Sequence, residues 1–188
     1  MKEVQKVKRA RAPLSDSDVA SLRVGDLVMI SGDVIGARDA AHRRLFELLR
    51  ECRPLPVDLR GQIIYYVGPT PARPGEIIGT AGPTTAGRMD PYTPALLAVG
   101  LKGMIGKGSR SQAVREAMQA HKAVYFAAVG GIGALLRGRV ESVRAIAYED
   151  LGPEAMRLIT LKDFPAIVVN DCYGGDLYAE ARKQFARR

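Results

Sequence analysis

The chain has 188 residues, a formal net charge of +8 and a hydrophobic content of 47%. These values are typical of one substantial globular domain, and no linker-like stretch divides the chain. Glycine or charged residues interrupt the apolar runs well short of a membrane span, which excludes a transmembrane helix. The basic N-terminus lacks the apolar stretch of a secretory signal, so the sequence predicts a cytoplasmic protein.

Much of the positive charge lies at the two ends of the chain, in Lys2–Arg11 and Arg182–Arg188. We expect residues 1–13 to be a flexible basic tail and residues 14–188 to be the folded domain. Clustered cations can displace counterions from phosphates, so a noncatalytic anion- or nucleic-acid-binding module is one interpretation. The middle of the chain mixes signs and contains no tryptophan, and no aromatic residues alternate with basic ones. Nucleic-acid binding is therefore the less favoured interpretation.

Hydrophobic periodicity and turn residues predict alternating strands and helices. A capped helical turn at residues 14–18 precedes the first strand. Strands are predicted at Leu27–Ile30 with a continuation to Ile35, and at Gln62–Val67, Lys102–Ile105, Ala123–Ala127, Val143–Tyr148 and Ala166–Val169. Helices are predicted at residues 38–51, 109–120, 153–158 and 176–187. The alternation indicates a mixed α/β domain with flanking helices.

The segment Gly82–Asp90, with the sequence GPTTAGRMD, combines a tight turn, two hydroxyls and a guanidinium. Thr84 or Thr85 is predicted to cap a helix that continues through Val99. Free N–H groups at a helix N-terminus, together with the hydroxyls and Arg88, would bind a carboxylate or a phosphate. Taken alone, the segment is more simply explained as a well-capped helix start without a ligand.

Two further cations occupy similar junctions. Arg38 follows the first predicted strand and begins a helix, and Lys107 lies in the glycine-rich turn Gly103–Gly108 before another helix. Junctions of this kind gather on one side of the sheet in layered α/β folds. We therefore expect Arg38, Arg88 and Lys107 to meet around one polyanionic ligand.

Histidine and cysteine are scarce, with two of each in the chain. His42 lies one helical turn after Arg38, so it either lines the site or makes a structural hydrogen bond. Cys52 and Cys172 are far apart and cannot by themselves hold zinc or an iron-sulfur cluster, so no metal site is assigned to this chain. Both are predicted to be reduced and at least partly buried. Gly130–Gly133 lacks the spacing of a nucleotide-binding loop and is predicted to be a packing or lid loop.

Five motifs together resemble the β-type catalytic region of class I, iron-sulfur fumarate hydratases and L(+)-tartrate dehydratases. They are Ile30–Gly32, Ala37–His42, Tyr65–Pro69, Gly82–Asp90 and Met104–Gly108. The resemblance extends from about residue 14 to residue 178 and implies a single swivelling β/β/α domain. It implies the β subunit of a heteromeric hydro-lyase that interconverts fumarate and L-malate. Dehydration of L(+)-tartrate to oxaloacetate is the nearest alternative.

The resemblance also implies roles for individual residues. Arg38, Arg88 and Lys107 would be the cations that bind a C4 dicarboxylate, with Thr84 and Thr85 beside them. Thr84 would approach the reacting carbon, and Thr84, Lys107 and Arg38 are the implied catalytic residues. A free hydroxyl is a poor base, so Thr84 would need cationic surroundings or a relay to an acid on a partner.

Other residues are expected to support this site from behind. Asp39 and Asp90 would orient the adjacent arginines, and His42 would contribute if it faces the site. The resemblance implies a four-iron four-sulfur cluster that is bound by a partner α subunit and not by this chain. It leaves open whether β subunits also associate with one another.

Overall fold

The computed structural model describes residues 7–186, which form seven strands and six α-helices. The strands are β1 Lys8–Ala12, β2 Leu27–Gly36, β3 Ile63–Tyr65, β4 Gly103–Gly106, β5 Val124–Ala127, β6 Val140–Ala147 and β7 Met156–Asn170. The helices are α1 Asp16–Ala20, α2 Asp39–Arg50, α3 Thr93–Ala98, α4 Gln112–Ala120, α5 Gly133–Arg137 and α6 Leu177–Phe185, with 3₁₀ turns at Ala86–Met89 and Glu149–Glu154. Of these described helices, none is both long and apolar enough to cross a membrane.

The strands form one mixed sheet in the order β1-β2-β3-β4-β5-β7-β6. Strands β2, β3, β4 and β5 are parallel neighbours, and the long strand β7 runs antiparallel to both β5 and β2. Because β7 pairs with β5 through one part of its length and with β2 through another, the sheet closes on itself. The mixed sheet and its flanking helices confirm the α/β class predicted from the sequence.

Alternate residues of the central strands face two separate hydrophobic cores, because successive side chains of a strand point to opposite faces. In β3, Ile63 and Tyr65 belong to a core lined by every strand of the closed cycle. Ile64, with Tyr66 just beyond the strand, belongs to the second core, which buries Leu45 of α2 together with apolar residues of α3 and α4. This second core holds the three helices against the outside of the sheet.

The parallel strands decide where functional side chains collect. Strands that run in the same direction end at the same edge of the sheet, and ligands of α/β folds bind at that carboxyl edge. Arg38 follows β2, Tyr66 follows β3, Lys107 follows β4 and Ala128 follows β5. The loops after these strands therefore meet at one edge, which we call the carboxyl edge.

The N-terminal segment differs from the sequence prediction. Residues 8–12 form strand β1, which pairs in parallel with β2, so the prediction of a flexible basic tail is wrong for these residues. Arg9 and Arg11 are exposed whereas Ala10 and Ala12 are buried, which is the two-residue alternation of a strand with one covered face. Residues 1–6 of the predicted tail lie outside the described residues.

The segment from Glu149 onward also differs. The helix predicted at residues 153–158 is absent, since a 3₁₀ turn ends at Glu154 and β7 begins at Met156. Gly152 has the positive φ of 55° inside this turn and Pro153 follows it, and both features oppose a regular helix. The predicted strand Ala166–Val169 therefore extends back to Met156. The remaining predicted elements overlap observed ones, at residues 27–35, 38–51, 62–67, 102–105, 109–120, 123–127, 143–148 and 176–187, the last of which ends outside the described residues.

Candidate functional site

Main-chain hydrogen bonds join three loops at the carboxyl edge. The Thr84 N–H donates to the Tyr66 carbonyl at 2.7 Å, and the Lys107 N–H donates to the Thr84 carbonyl at 3.2 Å. The Ala86 N–H in turn donates to the Lys107 carbonyl at 2.8 Å. The Gly82–Asp90 segment thus lies between the extensions of β3 and β4, and Thr84 and Thr85 are fixed beside Lys107.

The predicted cap of this segment is wrong. Thr85 occupies the N-cap of the 3₁₀ turn Ala86–Met89, but its side chain makes no capping hydrogen bond, and α3 begins only at Thr93. Pro91 and Pro94 lie between the turn and the helix interior, and proline disfavours a helical conformation in the residue before it. The Thr84 hydroxyl, half-buried, also makes no hydrogen bond to the residues that the structure describes.

One carboxylate connects two of the predicted cations. Asp39 Oδ2 accepts a 3.1 Å hydrogen bond from Arg38 Nε, and Asp39 Oδ1 accepts a 2.7 Å hydrogen bond from Arg88 Nε. Burial acts to raise the pKa of Asp39, but hydrogen bonds from its own N–H, from Arg38 and from Arg88 hold that pKa below its ordinary value. Asp39 is therefore ionised and bridges the two arginines, as its expected orienting role requires.

The two arginines differ in how many donors they have left. The Arg88 side chain is 51% exposed, and its terminal nitrogens bond to none of the residues 7–186. Arg38 is 24% exposed and also contacts Glu154, whose Oε1 lies 3.3 Å from Arg38 Nη2. The Arg38 side chain lies against Gly68, where a Cβ would stand 2.7 Å from Arg38 Nη1. Both terminal nitrogens of Arg88 thus remain available to bind two oxygens at once. Arg38, in contrast, contacts Asp39, Glu154 and Gly68.

The third predicted cation lies beside a glycine loop. Lys107 is exposed, and within the described part of the chain its ammonium forms no ion pair. A Cβ placed on Gly130 would lie 3.5 Å from Lys107 Cδ and 3.9 Å from its Nζ. The loop also packs against the Gly82 segment, since the Ala81 N–H donates to the Gly133 carbonyl at 3.1 Å. Gly130–Gly133 is therefore a packing loop at this edge, one of the two alternatives predicted.

His42 takes the structural alternative. It is fully buried, its Nδ1 lies 2.9 Å from the Arg38 carbonyl oxygen, and its ring packs edge-on against Tyr66. Burial lowers the pKa of His42 to about 4, and the hydrogen bond to Arg38 opposes this only in part. The ring is therefore neutral near pH 7, with its Nδ1 proton donated to the carbonyl that starts α2.

Asp90 does not orient Arg88, which corrects the prediction. Its Oδ1 accepts a 2.8 Å hydrogen bond from the buried Arg110 Nε, and its Oδ2 accepts one of 2.6 Å from the Ser111 N–H. Sequence reasoning missed Arg110, because a basic residue in a Ser-Arg-Ser loop carries no local signal of burial. It also missed Glu154, which contacts Arg38 across 116 positions and fell within a helix predicted wrongly.

The cysteines do not form part of this edge. Cys52 is exposed, against prediction, because it lies in the left-handed turn with φ of 53° that follows α2. Cys172 is half-buried against the core of the closed sheet. Within residues 7–186, no three His, Cys, Asp or Glu side chains gather where a metal ion could be held. An iron-sulfur cubane takes three or more thiolates and the whole chain has two cysteines, so its donors do not fit such a cluster.

Together, the closed mixed sheet and the basic residues and hydroxyls at its carboxyl edge define an α/β domain that gathers positive charge at the ends of its parallel strands. A family model described as "Fumarase C-terminus" matches residues 1–181, and the chain belongs to this family. The family includes class I fumarate hydratases and L(+)-tartrate dehydratase β subunits, in agreement with the resemblance seen in the motifs.

Three curated relatives illustrate the match. "Fumarate hydratase 2" of Leishmania major is 38% identical over 159 residues, which are 84% of this chain and 28% of the relative. "Putative fumarate hydratase class I" of Geobacillus stearothermophilus is 34% identical over 178 residues, 92% of this chain and 34% of the relative. "L(+)-tartrate dehydratase subunit beta" of Escherichia coli K12 is 34% identical over 181 residues, 94% of this chain and 89% of the relative. The chain thus spans about a third of the length of these fumarate hydratases, 28% and 34%, but most of the tartrate dehydratase subunit.

Proposed function

We propose that this chain is the β-type catalytic region of an iron-sulfur hydro-lyase that interconverts fumarate and L-malate. The observation that carries the proposal is the Asp39 bridge, which holds Arg38 and Arg88 side by side at the edge where Thr84 and Lys107 also lie. The names of the relatives support the reaction class, since two of those described above are fumarate hydratases.

Arg88 is proposed to bind one carboxylate of the substrate. Its terminal nitrogens are free of described partners, and a guanidinium presents two parallel N–H groups that match the two oxygens of a carboxylate. Asp39 accepts a 2.7 Å hydrogen bond from Nε of the same guanidinium. This bond orients the Arg88 side chain and leaves its two terminal nitrogens available. Arg38, whose Nε donates to Asp39 and whose Nη2 contacts Glu154, is proposed to add positive charge and to hold Asp39 in place.

Thr84 and Lys107 are proposed to act at the reacting carbon. Dehydration of malate removes a proton from the carbon next to a carboxylate, and negative charge then grows on that carboxylate. The Lys107 ammonium and the two guanidinium groups would stabilise this charge. The Thr84 hydroxyl, which bonds to no described residue, would accept this proton as its own proton passes to a base of the partner, with Thr85 as a neighbouring donor.

The cluster and the partner chain belong to the same proposal. The donors of this chain do not fit an iron-sulfur cluster, so we propose that a partner α subunit binds the four-iron four-sulfur cluster. The E. coli relative that this chain covers most completely carries the words "subunit beta" in its name, which supports a heteromeric enzyme. The carboxyl edge, where Thr85, Arg88 and Lys107 are exposed, would face that partner.

L(+)-tartrate dehydratase β subunit is the second candidate. The chain matches 89% of the length of that relative, compared with 28% and 34% of the fumarate hydratases. Tartrate is also a C4 dicarboxylate, and the same cations would bind its carboxylates. The substrate choice is therefore a question for kinetics on the assembled enzyme.

The test is coexpression of this chain with the cluster-bearing partner from the same source, followed by anaerobic assay with L-malate and L(+)-tartrate supplied separately. We expect fumarate to appear from malate only when both chains are present. Arg88→Ala should abolish this activity, whereas Arg60→Ala, which removes an exposed arginine at the opposite edge of the sheet, should not. Oxaloacetate from tartrate alone would assign the second candidate. Activity with neither substrate would overturn the hydro-lyase proposal and favour a binding module.

A further inference from the structure

A buried group of polar side chains adjoins the candidate site. Arg110 is 4% exposed and donates from Nε to Asp90 Oδ1 at 2.8 Å, from Nη1 to the Tyr66 hydroxyl at 3.0 Å and from Nη2 to Thr93 Oγ1 at 2.8 Å. We call Arg110, Asp90, Tyr66 and Thr93 the Arg110 cluster. Every nitrogen of the guanidinium donates to a protein atom and the side chain is 0% exposed, so Arg110 does not present donors to a ligand.

Three members of the Arg110 cluster, Tyr66, Asp90 and Arg110, are linked directly to segments that carry the site. The Tyr66 carbonyl accepts the hydrogen bond from the Thr84 N–H at 2.7 Å. Asp90 directly follows the 3₁₀ turn that contains Arg88, and Arg110 itself lies three residues after Lys107. The cluster therefore ties the Thr84 segment, the Arg88 turn and the Lys107 turn to one another through side chains.

A second set of contacts makes the arrangement rigid. Thr93 Oγ1 donates to the Met89 carbonyl at 2.9 Å, and Asp90 Oδ2 accepts from the Ser111 N–H at 2.6 Å. The Arg110 Cζ also lies 5.3 Å and 5.1 Å from the ring centroids of Tyr66 and Tyr125. A buried guanidinium is strongly destabilising without its partners, so few alternative positions are open to it.

We propose that Arg110 is a positioning residue, which sets Thr84 and Arg88 relative to Lys107 without touching the substrate. Its effect on turnover rests on the hydro-lyase function proposed above. Its effect on the position of residues 84–90 does not depend on that function. Misplacing a catalytic group by about 1 Å can cost on the order of 100-fold in rate, so loosening this segment should be visible in kcat.

The sharpest variant is Asp90→Asn, because it keeps the shape of the side chain and removes the charge that faces Arg110. Arg110→Met would leave Asp90 without its cation in a buried place, and so it tests folding as much as positioning. Asp26→Asn is the matched control. Asp26 also accepts one bond from a cation, Lys8 Nζ at 2.6 Å, and one from a main-chain N–H, that of Arg23 at 2.6 Å, but it precedes β2 at the opposite edge.

Two measurements are made on each variant. The first is hydrogen exchange of the peptide that covers residues 84–90 in the full chain, which requires no activity. We expect exchange there to rise about tenfold or more in Asp90→Asn and to stay at the wild-type rate in Asp26→Asn. Equal exchange rates of this peptide in the two variants would overturn the proposal, whether or not the assembled enzyme is active.

The second measurement is kcat and KM of the complex with the cluster-bearing partner. We expect Asp90→Asn to lose more thermal stability than Asp26→Asn, because the Arg110 side chain is fully buried whereas the Lys8 side chain is 37% exposed. We expect kcat/KM, measured well below both melting temperatures, to fall about 10-fold to 100-fold in Asp90→Asn alone. Tyr66→Phe, which removes only the hydroxyl that Arg110 contacts, should show a smaller fall of the same kind. Kinetics of Asp90→Asn that match those of Asp26→Asn in an active complex would refute the positioning role. An inactive wild-type complex would count against the proposed function, and the exchange result would then decide on Arg110.

Discussion

Two groups of arginine and carboxylate side chains lie at the same edge of the sheet and differ in what they leave unpaired. In the first, Asp39 bridges Arg38 and Arg88, and the Arg88 side chain is 51% exposed with its outer nitrogens free of described partners. In the second, Arg110 is 4% exposed and all of its nitrogens donate to the protein. The first group therefore has donors left for a ligand, whereas the second is placed to hold its neighbours in position.

The largest expected effect tests whether chemistry occurs at Thr84, on the segment that also carries Arg88 of the first group. Thr84→Ala should lower kcat on the order of 1000-fold and leave KM within about threefold, because the hydroxyl would act on the proton and not in substrate binding. Steady-state kinetics of the assembled enzyme measure both constants. Thr85→Ala, one residue further on, should cause a much smaller loss. A variant with wild-type kcat would remove Thr84 from the mechanism.

The next effect concerns His42, a buried residue whose ring packs against Tyr66 of the Arg110 cluster. The folded chain holds the pKa of His42 at about 4, below the ordinary value of 6.5, so the unfolded chain takes up the proton first as pH falls. This group therefore contributes no pH dependence above about pH 6.5, and its neutral burial costs stability progressively from there down to pH 4. The total loss is about 3 kcal/mol in the free energy of unfolding.

Urea unfolding between pH 7 and pH 4 measures this loss. His42→Phe should be destabilised at pH 7 by the lost hydrogen bond to Arg38, yet its stability should fall less steeply on acidification than that of the wild type. His121→Gln should keep the wild-type slope, because it leaves His42 in place. Parallel profiles for wild type and His42→Phe would show that His42 is accessible to protons in the folded chain.

A smaller effect is expected from the two terminal nitrogens of Arg88. Arg88→Lys keeps the charge but loses the two-pronged geometry, so KM for the dicarboxylate should rise about 10-fold to 100-fold. Initial-rate kinetics over a range of substrate concentrations check this. The matched change Arg60→Lys, at an exposed arginine of the opposite edge, should leave KM unaltered. Near-normal affinity in Arg88→Lys would argue against direct contact with a carboxylate.

The smallest effect tests how Arg38 is held. Gly68→Ala would place a Cβ 2.7 Å from Arg38 Nη1, and the flexible guanidinium would move away, which should lower kcat/KM about tenfold or less with little change in stability. Gly103→Ala makes a clash of similar size, 2.8 Å from Ile63 Cγ1, but inside the core at the opposite edge. It should lower the melting temperature and spare KM. If Gly68→Ala instead lowered the melting temperature and left kcat/KM unchanged, catalysis would not depend on the position of Arg38 beside Gly68.

Much of the fold could be predicted from the sequence, as could the positions of Arg38, Arg88 and Lys107 along the chain. Apolar periodicity located the central strands and helices, and Arg38, Arg88 and Lys107 were expected at strand-to-helix junctions. These features are local, because periodicity and turn residues act within a few positions of the chain. Parallel strands then bring their carboxyl ends together, so the convergence of the junctions follows from the strand order.

Local sequence features were therefore sufficient to predict the α/β alternation, the family motifs and the positions of the cations along the chain. Three features are visible only in the folded chain: Asp90 pairs with Arg110 instead of Arg88, Glu154 contacts Arg38, and residues 8–12 join the sheet. The groups in these contacts are 20 to 116 positions apart in the chain, and they become neighbours only when the chain folds. Burial removes water as an alternative partner, and a charge then pairs with the group that the fold places beside it.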